Sequence, residues 1–251
     1  MTTIVRLTRA ELRKLATTRA FLITLALSAG LAVISVIATA AAAGKNGAPA
    51  LGTTASTDQM LKLGVVCCVA MLILGIIAAG GEYRHKTIIP ALLATPRRGA
   101  LVAAKVAGVV VAGVVLSTLT FGLGLATAVA ELSAHHLHHL PADTGTLFAG
   151  SVIAGTLFGV IGVALGYITR STIAAVVGAV GWVLFVELAI LHAIAPHLAK
   201  WLITGAASTL TDPGVLASRA LTPATAVAVL TAYTAVLLAV ASRLVLRRDV
   251  P

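Results

Sequence analysis

Apolar positions along this chain neither alternate nor gather on one face. They run on in long blocks separated by short polar stretches. A helix needs about 20 such residues to cross roughly 30 Å of hydrocarbon. Six blocks reach that length: Ala20–Ala43, Met60–Gly80, Leu101–Ala130, Leu147–Thr169, Ile173–Ala195 and Thr222–Leu246. The third is overlong and must tilt, kink or extend past the bilayer. Gly108, Gly113, Gly122 and Gly124 offer places to bend.

The segment before the first block reads differently. Val5, Thr8, Leu12 and Leu15 follow helical spacing on one face, and Arg6, Arg9 and Arg13 on another. An amphipathic helix of this kind can lie along the cytoplasmic lipid surface. It could serve as a charge anchor that fixes topology or as a docking surface for a cytoplasmic partner, and the residues leave both open. The expected fold is an all-α membrane protein with one transmembrane domain over 1–251. It comprises a cytoplasmic amphipathic helix (1–19), a bundle of about six spans (20–246) and a cytoplasmic tail (247–251).

Composition agrees. The chain is 59% hydrophobic and 10% charged, with mean hydropathy +1.05. Soluble domains carry about 25% charged residues, so bilayer is the solvent that tolerates this surface. Net charge is +10 with only 4% aromatics, too few for the stacking platforms of nucleic-acid binding. The cations lie at block ends, where the positive-inside bias explains them. Arg6, Arg9, Arg13, Lys14, Arg19, Arg84, Lys86, Arg97, Arg98, Lys105, Arg170, Arg243, Arg247 and Arg248 fall on one side. Only Lys45, Lys62, Lys200 and Arg219 fall on the other. Both termini are therefore expected in the cytoplasm. A cleavable signal peptide would share the basic leader and the alanine-rich end at Ala38–Ala43, but its apolar run would be shorter than this one. Cys67 and Cys68 are adjacent within an apolar run and read as packing residues, with no disulfide or metal site.

The connection after the second block is the most informative polar segment. Gly80-Gly81 is expected to end the span, and Glu82, Arg84 and Lys86 place opposite charges at the membrane surface. Pro90 can open a short helix, Ala91–Ala94, and Pro96 close it. Such a helix, held parallel to the membrane, is something a soluble motor could push on.

This connection resembles the cytoplasmic loop of type-2, exporter-like ABC transporter permeases of bacteria, on Glu82, Arg84, Thr87, Leu92, Thr95, Pro96, Arg98 and Lys105. Glu11-Leu12-Arg13-Lys14-Leu15 with Thr18-Arg19 resembles the family's N-terminal helix. Trp182 with Glu187, and Arg247-Arg248-Asp249, resemble its actinobacterial-type members. The resemblance implies a permease in the bacterial cell membrane that pairs with a like chain and with a separate ATP-binding subunit. Glu82, Arg84, Thr87, Leu92, Thr95, Pro96, Arg98, Glu11 and Arg13 would then couple the chain to that subunit. ATP and magnesium would belong to the partner, because this chain has no phosphate loop and no resident cofactor of its own.

Three further features invite chemistry. Glu187 is the one acid deep within a block, where charge costs about 2.5–3.5 kcal/mol. A carboxyl held between helices is the favoured reading, and a gating or pathway residue the sharper one. His135, His136, His138 and His139 have spacings that could bind zinc or copper, although a polar helix end explains them more simply. Gly155, Gly159, Gly162 and Gly166 form a stripe suited to close helix packing, within the chain or between copies. No catalytic constellation appears, so an enzyme is the least expected class. An ion-gradient transporter would need more buried ionisable groups than Glu187. A non-transporting scaffold or immunity subunit remains an alternative.

Overall fold

The computed structural model describes residues 2–45, 47–87, 98–137, 143–187, 196–212 and 221–247. Every regular element among them is helical. In order they are α1 (Thr2–Thr17), α2 (Arg19–Ala42), α3 (Thr54–Met60), α4 (Gly64–Arg84), α5 (Arg98–Ala134), α6 (Thr144–Thr169), α7 (Thr172–Gly181), a π-helical turn (Trp182–Glu187), α8 (Pro196–Ala199), α9 (Ile203–Thr211) and α10 (Pro223–Arg247).

Five helical stretches among the described residues are long and apolar enough to cross a membrane: Arg19–Ala42, Thr54–Arg84, Gly99–Ala134, Thr144–Thr169 and Pro223–Val245. The outermost of these are mostly unburied by protein. On α2 only Thr24, Ser28, Ala32 and Val36, four residues apart, are buried. Leu22, Ile23, Leu27, Leu31, Ile34 and Ile37 face outward. An apolar exterior around a packed interior is the arrangement of a helical membrane protein.

At the centre, α6 packs along α4. Small residues make this possible, because without a hydrophobic drive between helices in lipid, close backbone approach supplies the contact. A Cβ on Gly75 would lie 2.0 Å from the carbonyl oxygen of Gly159, and one on Gly162 would lie 2.2 Å from that of Leu72. Gly155 lies against Ser117 and Cys67, and Gly166 against Gly80 and Ala79. The glycine stripe of α6 is thus filled from within the chain.

The structure departs from the sequence reading in four places. The second span begins with α3, breaks at Leu61–Leu63 and resumes at Gly64. It then runs through Gly80-Gly81 to Arg84 rather than ending there, and Gly80 serves a close approach instead, since a side chain on it would press on Thr172 at the start of α7, 3.0 Å away. Second, α5 is one helix of 37 residues, which agrees with an extended third run but leaves the glycines offered as bends without a helix break. Three of its glycines serve contact, Gly113 facing Thr156 and Met71, Gly124 facing Leu63 and Gly108 facing Glu11, whereas Gly122 meets nothing within 4 Å. Third, Val5 is exposed, while Leu7, Thr8, Glu11, Leu12 and Leu15 form the half-buried face of α1. Fourth, the expected fifth span is α-helical only over Thr172–Gly181 before the π turn, and its remainder, 188–195, lies outside the described residues.

Residue Thr18, extended at φ −84°, separates α1 from α2. The chain thereby turns from a helix lying against the bundle into one that crosses it. Ser171 caps α7 through the amide of Ala174, following Arg170, which ends α6 in the left-handed region at φ 53°.

Candidate functional site: a buried ion quartet

Four charged side chains from three helices meet where α1 crosses the bundle. Lys105, on α5, is among the largest fully buried side chains described. Its Nζ donates to Glu11 Oε2 of α1 at 2.6 Å and to Glu82 Oε1 of α4 at 2.9 Å. Lys14, one turn after Glu11, also donates to Glu82 Oε1 and lies 3.8 Å from Glu11 Oε1. Two ammonium groups and two carboxylates thus share one pocket and cancel in charge.

Local structure places each of them. Glu11 sits on the packed face of α1 beside Leu12 and Leu15, and Gly108 lets α1 approach: a Cβ there would be 3.3 Å from that of Glu11. Glu82 reaches the pocket because α4 continues past its two glycines. The surrounding shell is apolar, with Val102, Val109, Ala79 and Tyr167 buried and Leu15, Tyr83 and Val106 packed on them. Tyr83 meets Tyr167 edge to face, with centroids 6.3 Å apart, and Arg170 lies over the Tyr83 ring at 5.6 Å. Glu82 Oε2 and the Tyr167 hydroxyl have no hydrogen-bond partner among the described residues.

Burial makes the members of the quartet depend on one another, Lys105 and Glu82 most of all. Each buried ion needs its counter-ion, since removing water from a charge costs several kcal/mol that only good geometry returns. Half-buried Lys14 shows the balance. Burial alone would lower its pKa, but the hydrogen bond to Glu82 and the charges of Glu82 and Glu11 outweigh it and raise the pKa above the ordinary lysine value. The arrangement holds charge in place and offers no nucleophile. What it can do is fix α1 to the ends of α4 and α5, the two helices joined by residues 85–97.

The sequence-derived coupling residues divide accordingly. Glu11 and Glu82 turn inward, whereas Arg13, Arg84 and Thr87 are exposed. Arg98 opens α5. Leu92, Thr95 and Pro96, with the expected helix Ala91–Ala94, lie outside the described residues. Lys105 enters as the hub of the site, and Lys14 as a member that sequence reasoning did not single out. The signals for Lys14 were its place in the Glu11-Leu12-Arg13-Lys14-Leu15 motif and its pairing with Glu11, one turn away on an amphipathic helix.

Glu187 is a separate centre. It is buried, and its Oε1 accepts from Trp182 Nε1 at 3.0 Å. Its Oε2 accepts from the Thr204 amide at 2.9 Å and from the Thr204 hydroxyl. Thr204 stands in the first turn of α9, so this carboxylate caps a helix start, where free amides and the helix dipole favour negative charge. At the opposite end of α9, Asp212 pairs with Lys62 at 2.9 Å.

His135 and His136 are exposed at the end of α5, and His138 and His139 lie outside the described residues. No group of three or more metal-ligating side chains forms among the described residues. Cys67 and Cys68 are buried free thiols. No protein-family model matches the chain, and no curated protein matches it.

Proposed function

We propose that this chain is the membrane-spanning permease subunit of an ATP-driven exporter and works with a separate ATP-binding-cassette subunit. The observation that carries the reading is the quartet. It locks the amphipathic helix to the ends of α4 and α5, and the connection between those helices holds the motif that resembles the family's coupling loop. A force applied to α1 or to residues 85–97 would reach both spans as one body. Glu11, Glu82 and Lys105 act within the chain by holding this unit rigid. Arg13, Arg84 and Thr87 are exposed, and in this reading they would meet the partner together with Leu92, Thr95, Pro96 and Arg98 of the resembling motif.

In this proposal the chain has six spans, the fifth running over 173–195, with both termini in the cytoplasm of a bacterial cell. ATP and magnesium reside on the partner. Two permease chains, identical or similar, frame the path. Its interior would be largely Ala, Val, Leu and Gly, which favours a hydrophobic or amphipathic cargo. Glu187 enters as a gating candidate through its hold on α9. Its carboxylate oxygens are already occupied by Trp182 and Thr204, which speaks against a free ion-binding acid of a gradient-driven transporter.

The coupling assignment is tested by Leu92→Glu/Leu93→Glu in the full chain, co-expressed with the ATP-binding subunit. Loss of partner co-purification with the permease still folded supports the assignment. Retention of both partner and transport removes it.

A further inference from the structure

The charges left over once the quartet is neutral define a second surface. Near this end of the bundle the described acids are Glu11 and Glu82, and both are engaged by Lys14 and Lys105. Arg6, Arg9 and Arg13 make no ion pair among the described residues and are exposed. Their spacing of three and four residues puts them on one face of α1, opposite the face formed by Thr8, Glu11, Leu12 and Leu15. Exposed Val5 lies beside them. No acid among the described residues supplies a counter-charge for this row.

The level at which α1 sits says what meets it. It crosses α5 at Lys105 and Gly108, whereas α5 begins at Arg98. Seven to ten residues of helix, about 10–15 Å, therefore project beyond the crossing. At its other end α1 passes through Thr18 alone into α2, the first span. So α1 flanks the bundle at the depth where a span enters the bilayer, with its arginine row turned away from the protein. That is the depth of lipid headgroups, and guanidinium forks match phosphate oxygens bidentately.

We infer that the Arg6–Arg9 face of α1 is a binding surface for anionic phospholipid headgroups. Arg13 shares the face, but it is assigned above to the partner contact and stays unchanged in the test. The inference does not depend on the exporter reading, since it concerns this chain in a bilayer by itself.

The test uses the full chain alone in nanodiscs of equal parts phosphatidylcholine and phosphatidylglycerol. The chain is then extracted in mild detergent, and the lipids retained are measured by mass spectrometry. Wild type should retain phosphatidylglycerol preferentially. Arg6→Gln/Arg9→Gln should lower that preference roughly 25-fold, about fivefold per basic residue at an anionic surface. Arg6→Lys/Arg9→Lys should restore most of it. Far-UV circular dichroism and gel filtration confirm that each variant is folded. Equal preference in wild type and the glutamine variant overturns the inference, as does wild type without preference.

Discussion

Replacing Lys105 by methionine removes the hub of the quartet while nearly preserving its volume. Its side chain is 1% exposed and that of Glu82 is 2% exposed. The variant leaves Glu82 with Lys14 alone and takes from Glu11 its 2.6 Å partner. Stripping one partner from a buried ion pair costs about 3–5 kcal/mol. The lower end of that range applies, because Glu82, though buried, keeps Lys14 and Glu11 is 12% exposed. We therefore expect Lys105→Met to lose about 3 kcal/mol in reversible unfolding by denaturing detergent. The loss should come with faster proteolysis at α1, which depends on the quartet for its hold. Lys105→Met/Glu82→Gln should recover part of it, because the stranded charge is gone, giving a coupling of about 1–3 kcal/mol in a double-mutant cycle. If Lys105→Met lies within about 0.5 kcal/mol of wild type and α1 stays protected, the quartet is not the clasp described here.

Other consequences follow from the same geometry. Glu187→Ala strips the cap from α9 and strands the Thr204 amide. It should cost about 1–2 kcal/mol and shift the Trp182 fluorescence, whereas an unchanged spectrum would separate Trp182 from the carboxylate. Gly75→Ala would drive a methyl into the Gly159 carbonyl at 2.0 Å, but Gly122→Ala meets nothing within 4 Å. The first should destabilise by about 1–3 kcal/mol or more and the second should be neutral or stabilising, as read in the same unfolding assay; parity between them would contradict the α4–α6 packing. The raised pKa of Lys14 means its contribution is complete below the ordinary lysine value of 10.5 and fades only as pH rises past its elevated value. Protease protection of α1 should hold up to the ordinary lysine value of 10.5 and weaken only above it, and a wild-type loss centred near pH 9 would contradict this sign.

Much of the scaffold was legible in the sequence because hydropathy over about 20 residues reports the solvent directly. The blocks that became α2, α5, α6 and α10 needed no knowledge of partners. What escaped was set by contacts across the sequence. Gly80 and Gly81 look like a stop signal locally, yet the helix continues, and Gly80 is a contact glycine against the start of α7. The inward turn of Glu82 depends on Lys14, 68 residues away, and the role of Lys105 depends on Glu11, 94 residues away. The periodicity of α1 put Val5 on the packed face. Instead the apolar face rotates to admit Glu11, because a buried acid paired with Lys105 replaces an apolar contact. At Trp182–Glu187 the sequence reads as uninterrupted span, whereas the chain takes a π turn that carries Glu187 to the start of α9. Widened turns of this kind often mark functional positions in helices.

The central claim is that this chain is the membrane half of an ATP-driven machine. It is tested most directly by purifying the chain from its native membranes in mild detergent and identifying what comes with it. The account predicts a near-stoichiometric companion that carries a phosphate loop, hydrolyses ATP, and is lost when the α4–α5 connection is altered. Recovery of the chain without an ATP-binding companion, under conditions that keep other membrane complexes intact, would contradict it.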